Sequence, residues 1–201
     1  MGTIEKPVAG CFGKIPARGD FVSAGLPSPT TKAWDRFISA ALTAAKAADA
    51  TRWPSIWLAA PVWRFALPAT MCGPSPLIGL WMPSIDKAGR HFPLMLAATC
   101  PAATPEQMVR HGTAWLDAAE DAGRAAIADD LTPDQLTTLI PPPPDLTATP
   151  DTGLPYELQP RPGAGLWWTD GGPHVPAQAL VLSAMPDDAT FRAMLDAARN
   201  A

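Results

Sequence analysis

Residues 76–100 read PLIGLWMPSIDKAGRHFPLMLAATC and contain two apolar runs separated by a short polar segment. Strands that are apolar on both faces are typical of a sheet that is covered on two sides. We therefore predict that 77–84 and 92–99 are strands with helices packed on both faces of their sheet. The segment DKAG between them is a four-residue hairpin loop, in which Gly89 can take a positive φ.

The charged residues of this hairpin allow two interpretations. Asp86 and Arg90 flank the loop, so they would stand nearly opposite each other across the two strands. In the structural interpretation they form an ion pair that fixes the hairpin and contributes about 0.2–1 kcal/mol. In the functional one, Ser84, Asp86, Lys87 and Arg90 form a small polar recognition site. We place the structural interpretation first, and the periodicity alone does not choose between them.

Helices and further strands are predicted on either side of this hairpin. Ser28 is a possible N-cap of a long helix, and Thr104, Pro105 and Gln107 form a capping-box pattern at the start of another. The predicted helices are 28–50, 54–60, 104–127, 132–140 and 187–199, and the other strands are 11–15, 62–68, 165–170 and 177–183. This alternation predicts a single α/β domain over residues 1–201, a three-layer α/β/α sandwich around a mixed, largely antiparallel sheet. The proline-rich residues at about 141–155 are predicted to be a surface linker.

Composition places the chain among globular proteins, since 47% of its 201 residues are hydrophobic and 17% are charged. The N-terminus has no apolar region typical of a secretion signal. The apolar runs are much shorter than the 18 or more residues that a membrane span requires. Cys11, Cys72 and Cys100 are widely spaced and lie in apolar surroundings, which indicates buried thiols in a reducing compartment. These features predict a cytoplasmic protein.

Charge is distributed unevenly along the chain. Residues 1–100 hold ten Lys/Arg and five Asp/Glu, a net charge of +5, whereas residues 101–201 hold five and fourteen, a net charge of −9. The basic residues neither cluster nor alternate with aromatic residues, which disfavours nucleic-acid binding. The acidic residues concentrate in 117–134, where a solvated helix face is favoured over a docking surface for a basic partner.

The segment GKIPARGDFV at 13–22 contains an Arg-Gly-Asp sequence and a Gly-Lys pair. An adhesion site would need display outside the cell, and the Gly-Lys pair lacks the glycine and hydroxyl spacing of a phosphate-binding loop. We predict instead a turn fixed by Pro16 and Gly19, in which Asp20 accepts hydrogen bonds from the local backbone.

The sequence shows no catalytic, cofactor or metal motif. His91, His111 and His174 lie far apart, and none has a second ligand at the spacing of a metal site. His91 is expected to be a packing residue. The adjacent pair Trp167-Trp168 lies in a predicted strand, which sends the two side chains to opposite faces. One is expected in the core, and the other on the surface, where a tryptophan often anchors a partner.

Taken together, five segments in the same order resemble the TagF (ImpM) family of type VI secretion-associated proteins. They are GCFGKIPARGDFVSAGLP, AWDRFI, APVWRFAL, GLWMPSIDKAGRHFPLMLA and GLWWTDGG. The resemblance is closest over residues 10 to about 100. The family pattern falls on Pro16, Arg18, Gly19, Asp20 and Phe21, on Pro83, Ser84, Asp86, Gly89, Arg90 and Pro93, and on Trp167 and Trp168. His91 departs from the pattern, which has an aromatic residue there.

The resemblance implies a three-layer α/β/α sandwich and a cytoplasmic accessory factor with no enzymatic activity. It implies a post-translational repressor of type VI secretion assembly that acts on the forkhead-associated scaffold protein, Fha. Two alternatives stay open: a small hydrolase or ligand-binding enzyme using Ser84, Asp86, Arg90 and His91, and a structural component of the secretion apparatus.

The two charged turns supply one further expectation. Arg18 and Asp20 stand beside one apolar strand, and Asp86 and Arg90 stand beside another. If both turns lie at the same end of the sheet, the four charges can form one network, with Arg18 paired to Asp86 and Arg90 paired to Asp20. The candidate cluster for structure or partner binding is therefore Arg18, Asp20, Ser84, Asp86, Arg90, Trp167 and Trp168.

Overall fold

The hairpin predicted within residues 76–100 lies at the centre of the sheet in the computed structural model of the chain, which describes residues 6–147, 155 and 158–197. Its strands are β4, Leu77–Met82, and β5, Leu94–Thr99, and every residue of both strands is buried. The register runs from Leu77 opposite Thr99 to Met82 opposite Leu94. The two predicted strands and their burial on both faces are thus confirmed, although each strand is shorter than predicted at the loop side.

Five other strands complete the sheet over the described residues. They are β1, Ala9–Gly13; β2, Val22–Ala24; β3, Trp63–Leu67; β6, Gly165–Thr169; and β7, Gln178–Leu182. The strand order is β2-β1-β5-β4-β3-β6-β7, and each neighbouring pair is antiparallel. The largely antiparallel sheet is confirmed, but the mixed character is wrong, since no parallel pair occurs among these strands. The short strand β2 was not predicted.

Six helices cover the two faces of the sheet within the described ranges. They are α1, Ser28–Ala48; α2, Trp53–Ala59; α3, Pro105–His111; α4, Thr113–Ala128; α5, Pro133–Leu139; and α6, Asp188–Leu195. The buried residues of α1, α2 and α6 form one core with the sheet, and those of α3, α4 and α5 form the other. The three-layer α/β/α sandwich is confirmed.

Strand alternation explains why one sheet can close two cores. In β3, Trp63, Phe65 and Leu67 point into the first core, whereas Ala66 points into the second. The first core is rich in tryptophan, with six of the eight tryptophans of the chain, namely Trp34, Trp53, Trp57, Trp63, Trp81 and Trp167. The three thiols are buried as expected, and burial raises the pKa of Cys11 to about 11 and the pKa of Cys72 and of Cys100 to about 12.

Several helix boundaries differ from the prediction. The N-cap of α1 is Pro27, one residue before the predicted Ser28. The single helix predicted at 104–127 is interrupted at Gly112, a poor helix former that lies against Ile78 and leaves no room for a side chain. The predicted capping box at Thr104 is present, and α5 begins with a second capping box at Thr132.

The C-terminal part of the chain differs from the prediction in a similar way. The last helix ends at Leu195 instead of 199, and residues 198–201 lie outside the described residues. In the predicted linker, residues 141–147 contain no helix or strand, whereas 148–154 lie outside the described residues.

Candidate functional site

The strand register brings the first two sequence motifs to the same end of the sheet. Gly13 at the end of β1 and Met82 at the end of β4 both lie opposite Leu94, the first residue of β5. We call the loops 14–21 and 83–93 at this end the motif end. The main-chain N–H of Lys87 donates to the carbonyl oxygen of Arg18 at 3.1 Å, so the two loops are in direct contact. The condition that the two charged turns lie together is met.

The centre of the motif end is the carboxylate of Asp86, which is buried and accepts four hydrogen bonds. Its Oδ2 accepts from Lys14 Nζ and from Arg90 Nε, both at 2.6 Å. Its Oδ1 accepts from the main-chain N–H groups of Ala88 and Arg90, each at 2.9 Å. Burial alone would raise the pKa of Asp86, but these donors hold its pKa well below the usual range. The carboxylate is therefore a fully paired anion.

Lys14 is the residue that the sequence did not identify as part of the site. It follows β1, is itself buried, and reaches across to Asp86 in the hairpin. Its ammonium group also lies 5.0 Å from the centre of the Phe21 ring, a cation–π contact. A lysine inside the apolar run CFGKI is a signal that could have been used, because a buried ammonium group requires an anionic partner. The identity of that partner depends on the pairing of β1 with β5, which the local sequence does not reveal.

Arg90 connects the hairpin to the first loop. Its Nε donates to Asp86, and its Nη2 donates to the carbonyl oxygen of Gly19 at 2.7 Å. Gly89 has φ +77°, and its N–H donates to the carbonyl oxygen of Asp86 at 2.8 Å, which closes the hairpin loop as predicted. The predicted ion pair between Asp86 and Arg90 is confirmed.

The predicted pairing of Arg18 with Asp86 and of Arg90 with Asp20 is wrong. Asp86 is paired with Lys14 and Arg90, and Arg90 is directed to a main-chain carbonyl group instead of to Asp20. Arg18 and Asp20 are both exposed, and neither forms an ion pair within the described residues. The turn of the first loop is closed instead by the N–H of Arg18 donating to the carbonyl oxygen of Ile15, with Pro16 in a central position.

Phe21 is the exposed member of an aromatic group at the motif end. Its side chain is 46% exposed, although it stacks on Phe12 at 5.4 Å and meets Phe92 edge-on at 4.7 Å between ring centres. Aromatic side chains that are held in place and partly exposed are frequent at protein interfaces. Phe21 belonged to the family pattern but was not among the candidate site residues.

Ser84 and His91 do not share a hydrogen bond within the described residues. Ser84 is buried; its hydroxyl donates to the carbonyl oxygen of Ile85 at 3.4 Å, and its own carbonyl oxygen accepts from Trp57 Nε1 at 2.9 Å. His91 packs against both Trp53 and Trp57, with ring centres 5.8 and 6.2 Å away. Burial and the nearby charge of Lys46 lower the pKa of His91. A serine hydrolase would need the hydroxyl and the imidazole within hydrogen-bond reach of each other.

The tryptophan pair of β6 lies away from the surface. Trp167 and Trp168 point to opposite faces, as the strand geometry predicts, but both are buried, one in each core. The expectation that one of them faces solvent is wrong, because β6 lies between β3 and β7 and both faces of the sheet carry helices. Neither residue is available as an exposed anchor for a partner.

Two further features bear on the kind of protein. Among the described residues, no group of three His, Cys, Asp or Glu side chains is placed to hold a metal ion. Over the same part of the chain, no helix combines the length and apolar character needed to span a bilayer.

The fold and the motif end define a three-layer α/β/α domain whose two motif loops are held together by a buried carboxylate, its cationic partners and main-chain hydrogen bonds. The chain belongs to the TagF family: the TagF N-terminal domain, described as type VI secretion system-associated, matches residues 10–141. This match includes both loops of the motif end and stops before β6.

A solved structure extends the likeness to nearly the whole chain. The crystal structure of PA0076 from Pseudomonas aeruginosa PAO1 superposes with a TM-score of 0.74 at 26% sequence identity, over 94% of each chain. No curated protein matches this chain. The family and the fold therefore rest on the domain match and on the structural likeness.

Proposed function

We propose that this chain is a cytoplasmic, non-enzymatic repressor of type VI secretion assembly that acts by binding the forkhead-associated scaffold protein, Fha. Membership of a type VI secretion-associated family supports the cellular system. The repressor role and the scaffold as its partner come from the family resemblance of the sequence. The geometry of the motif end bears on whether this site suits catalysis or protein contact.

The observation that carries the proposal is the pairing state of Asp86. All four of its hydrogen bonds come from within the motif end, and two of them come from the main chain of its own loop. A carboxylate that acts as a general base must reach a proton of the substrate, whereas a carboxylate that organises a binding surface can be fully paired. The motif end fits the second role better than the first.

The residues that remain exposed at the motif end are suited to protein contact. Arg18, Phe21 and Lys87 stand on the surface of loops that are held by Asp86 and Arg90. Arginine and aromatic side chains are enriched among interface hot spots. A surface presented on fixed loops loses little conformational freedom on binding.

The test is made in a bacterium that carries this chain and an active type VI secretion system. Deleting the gene is expected to raise secretion, and restoring it in trans is expected to lower secretion again. A structural component of the apparatus gives the opposite result, since its deletion abolishes secretion. Pull-down with the tagged chain from cells with and without the scaffold protein then checks the partner, which is expected to be captured only from the first.

A third measurement addresses the enzymatic alternative. Ser84→Ala is expected to leave repression unchanged, because the Ser84 hydroxyl only donates to the adjacent carbonyl oxygen. A hydrolase that uses Ser84 as its nucleophile would lose its effect on secretion in this variant while keeping its fold and abundance. Loss of repression by a stable Ser84→Ala protein therefore contradicts the proposal.

A further inference from the structure

A groove lies beside the hairpin on the α1 side of the sheet. It has a volume of about 520 Å³, and its lining comes from the last half of α1, the start of α2 and residues 89–92. We call it the α1–hairpin groove. Its volume is within the range of about 300–1000 Å³ that is usual for ligand pockets. One of its three lining segments, residues 89–92, belongs to the motif end.

The groove combines an apolar floor with cationic walls. Leu42, Trp53 and Phe92 are buried residues of its lining. Lys46 on α1 and Arg90 on the hairpin are exposed members of the same lining. Lys46 forms no ion pair within the described residues, and no carboxylate side chain lines the groove.

The charge around the groove is opposite in sign to that of the whole chain. The motif end and the groove lining together contain Lys14, Arg18, Lys46, Lys87 and Arg90 against Asp20 and Asp86, which is a net charge of +3. The chain as a whole has a net charge of −4. Because Asp86 is buried and already paired, it does not neutralise Lys46 or Lys87. This part of the surface therefore attracts anions on a protein that otherwise repels them.

We propose that the α1–hairpin groove binds an acidic segment of a partner protein. Carboxylate groups of the segment pair with Lys46 and with the free donors of Arg90, and an apolar side chain of the segment packs on Trp53 and Phe92. The argument for this occupant is charge complementarity, together with the apolar floor. A nucleic-acid strand fits less well, because only two cations, Lys46 and Arg90, line the groove, whereas strand binding relies on several contacts to phosphates. The inference rests on the proposed function, since it names the chemistry of the segment that the partner supplies.

The first test uses two fluorescein-labelled hexapeptides, EDLEDF and its uncharged counterpart QNLQNF, and measures fluorescence anisotropy. The acidic peptide is expected to bind, and the uncharged peptide is expected to bind at least about fivefold more weakly. Raising NaCl from about 0.05 M to about 0.5 M is expected to weaken the binding of the acidic peptide, since the contacts lie at the surface and are screened by salt. Equal affinity for both peptides, or no binding of either, overturns the proposal.

The second test compares two lysines of the same helix. Lys46→Glu is expected to lower the affinity for the acidic peptide by about tenfold, because it replaces an attraction with a repulsion. Lys32→Glu is the matched control: Lys32 is exposed on α1, carries the same charge change and lies 14 residues earlier, about 21 Å along the helix. Thermal unfolding verifies that both variants remain folded. Equal weakening by the two variants overturns the groove as the binding site.

Two comparisons separate this inference from the proposed function. If the wild-type chain captures the scaffold protein and Lys46→Glu captures it equally well, the groove is overturned and the proposed function stands. If the acidic peptide binds in a Lys46-dependent manner but the scaffold protein is not captured, the groove stands and the proposed partner is wrong.

A last measurement tests the class of the ligand. If a single-stranded oligonucleotide of six nucleotides displaces the peptide and binds more tightly, the proposal of a protein segment is overturned in favour of a nucleic acid.

Discussion

The two loops of the motif end have similar composition but opposite construction. The charged turn of loop 14–21 contains Arg18, Gly19 and Asp20, and that of loop 83–93 contains Asp86, Gly89 and Arg90. In the second loop the carboxylate is buried and accepts four hydrogen bonds. In the turn of the first loop, the side chains of Arg18 and Asp20 are both exposed, and neither forms an ion pair within the described residues. The first loop is instead held through its main chain, by Lys87 and Arg90.

The difference shows that composition does not decide the role of a charged turn. What decides it here is Lys14, which follows β1 at the start of loop 14–21, outside the Arg18–Asp20 turn, and whose ammonium group pairs with Asp86. A buried carboxylate with two cations is a structural device, whereas exposed charges on a fixed loop are available for contact. We expect substitutions in the two loops to differ accordingly in their effects on stability and on binding.

The largest effect is expected from Asp86→Ala. This substitution leaves the buried ammonium group of Lys14 without its anion, and breaking a buried pair in this way costs about 3–5 kcal/mol of unfolding free energy. Urea unfolding followed by tryptophan fluorescence measures the loss. Asp20→Ala is the control and is expected to change the unfolding free energy by less than about 0.5 kcal/mol. Similar losses in the two variants would show that the loops do not differ as described.

A smaller effect is expected from Lys14→Met, which keeps the length of the side chain but removes its charge. Asp86 then retains Arg90 and two main-chain donors, so the loss corresponds to one charged hydrogen bond, about 1.5–3 kcal/mol. Lys87→Met, at an exposed lysine of the same end, is expected to cost less than about 0.5 kcal/mol. Equal losses in the two lysine variants would argue against the buried pair.

A double-mutant cycle extends this prediction to the coupling between residues. Lys14→Met and Asp86→Ala are expected to be less than additive, because both remove the same ion pair. Arg18→Ala and Asp86→Ala are expected to be additive within about 0.5 kcal/mol, because the two side chains do not pair. If Arg18→Ala and Asp86→Ala are instead less than additive, that result would support the pairing of Arg18 with Asp86 that the sequence suggested.

Acidification is expected to act on the second loop in particular. The pKa of Asp86 in the folded state lies below its ordinary value of 3.8. Its ionisation therefore stabilises the fold above that value, and this contribution is lost as the pH falls below about 4 toward the folded-state pKa. Asp86→Asn is expected to be less stable at neutral pH and to show a flatter loss of unfolding free energy between about pH 4 and pH 2. Asp20→Asn is the matched control, and an equal flattening in both variants would contradict the assignment.

The sequence predicted the elements of this site better than it predicted their partners. Residues 76–100 specify both strands and their loop, because apolar runs and a turn with Gly89 are local features. The ion pair of Asp86 with Arg90 lies within one hairpin and was predicted for the same reason. The pairing of Lys14 with Asp86 spans 72 residues and follows from the order of β1, β5 and β4, which no local pattern encodes.

Burial in the C-terminal part was underestimated for a related reason. The alternation of Trp167 and Trp168 across β6 was predicted, but exposure of one side chain was not observed. The burial of both side chains depends on the helices that cover each face of β6, and the adjacent tryptophans alone do not reveal that tertiary packing. The break at Gly112 likewise depends on contact with Ile78 in the sheet, which the helix pattern alone does not show.

The smallest effect on stability, and the most informative one for function, is expected from Arg18→Ala. The main-chain carbonyl group of Arg18 keeps its bond from Lys87 in this variant, so the unfolding free energy is expected to change by less than about 0.5 kcal/mol. If the first loop contacts the scaffold protein, loss of one charge at the rim weakens binding by about two- to fivefold. This loss is expected mainly in the association rate, as surface plasmon resonance can measure.

Arg161→Ala is the matched control for this prediction, because Arg161 is exposed and precedes β6 at the opposite end of the sheet. It is expected to leave both stability and association unchanged. Slower association in Arg18→Ala alone, at unchanged stability, identifies the first loop as a contact surface beside a structural second loop. A stability loss in Arg18→Ala comparable to that of Lys14→Met would show instead that the exposed arginine also holds the fold, and the contrast between the two loops would be wrong.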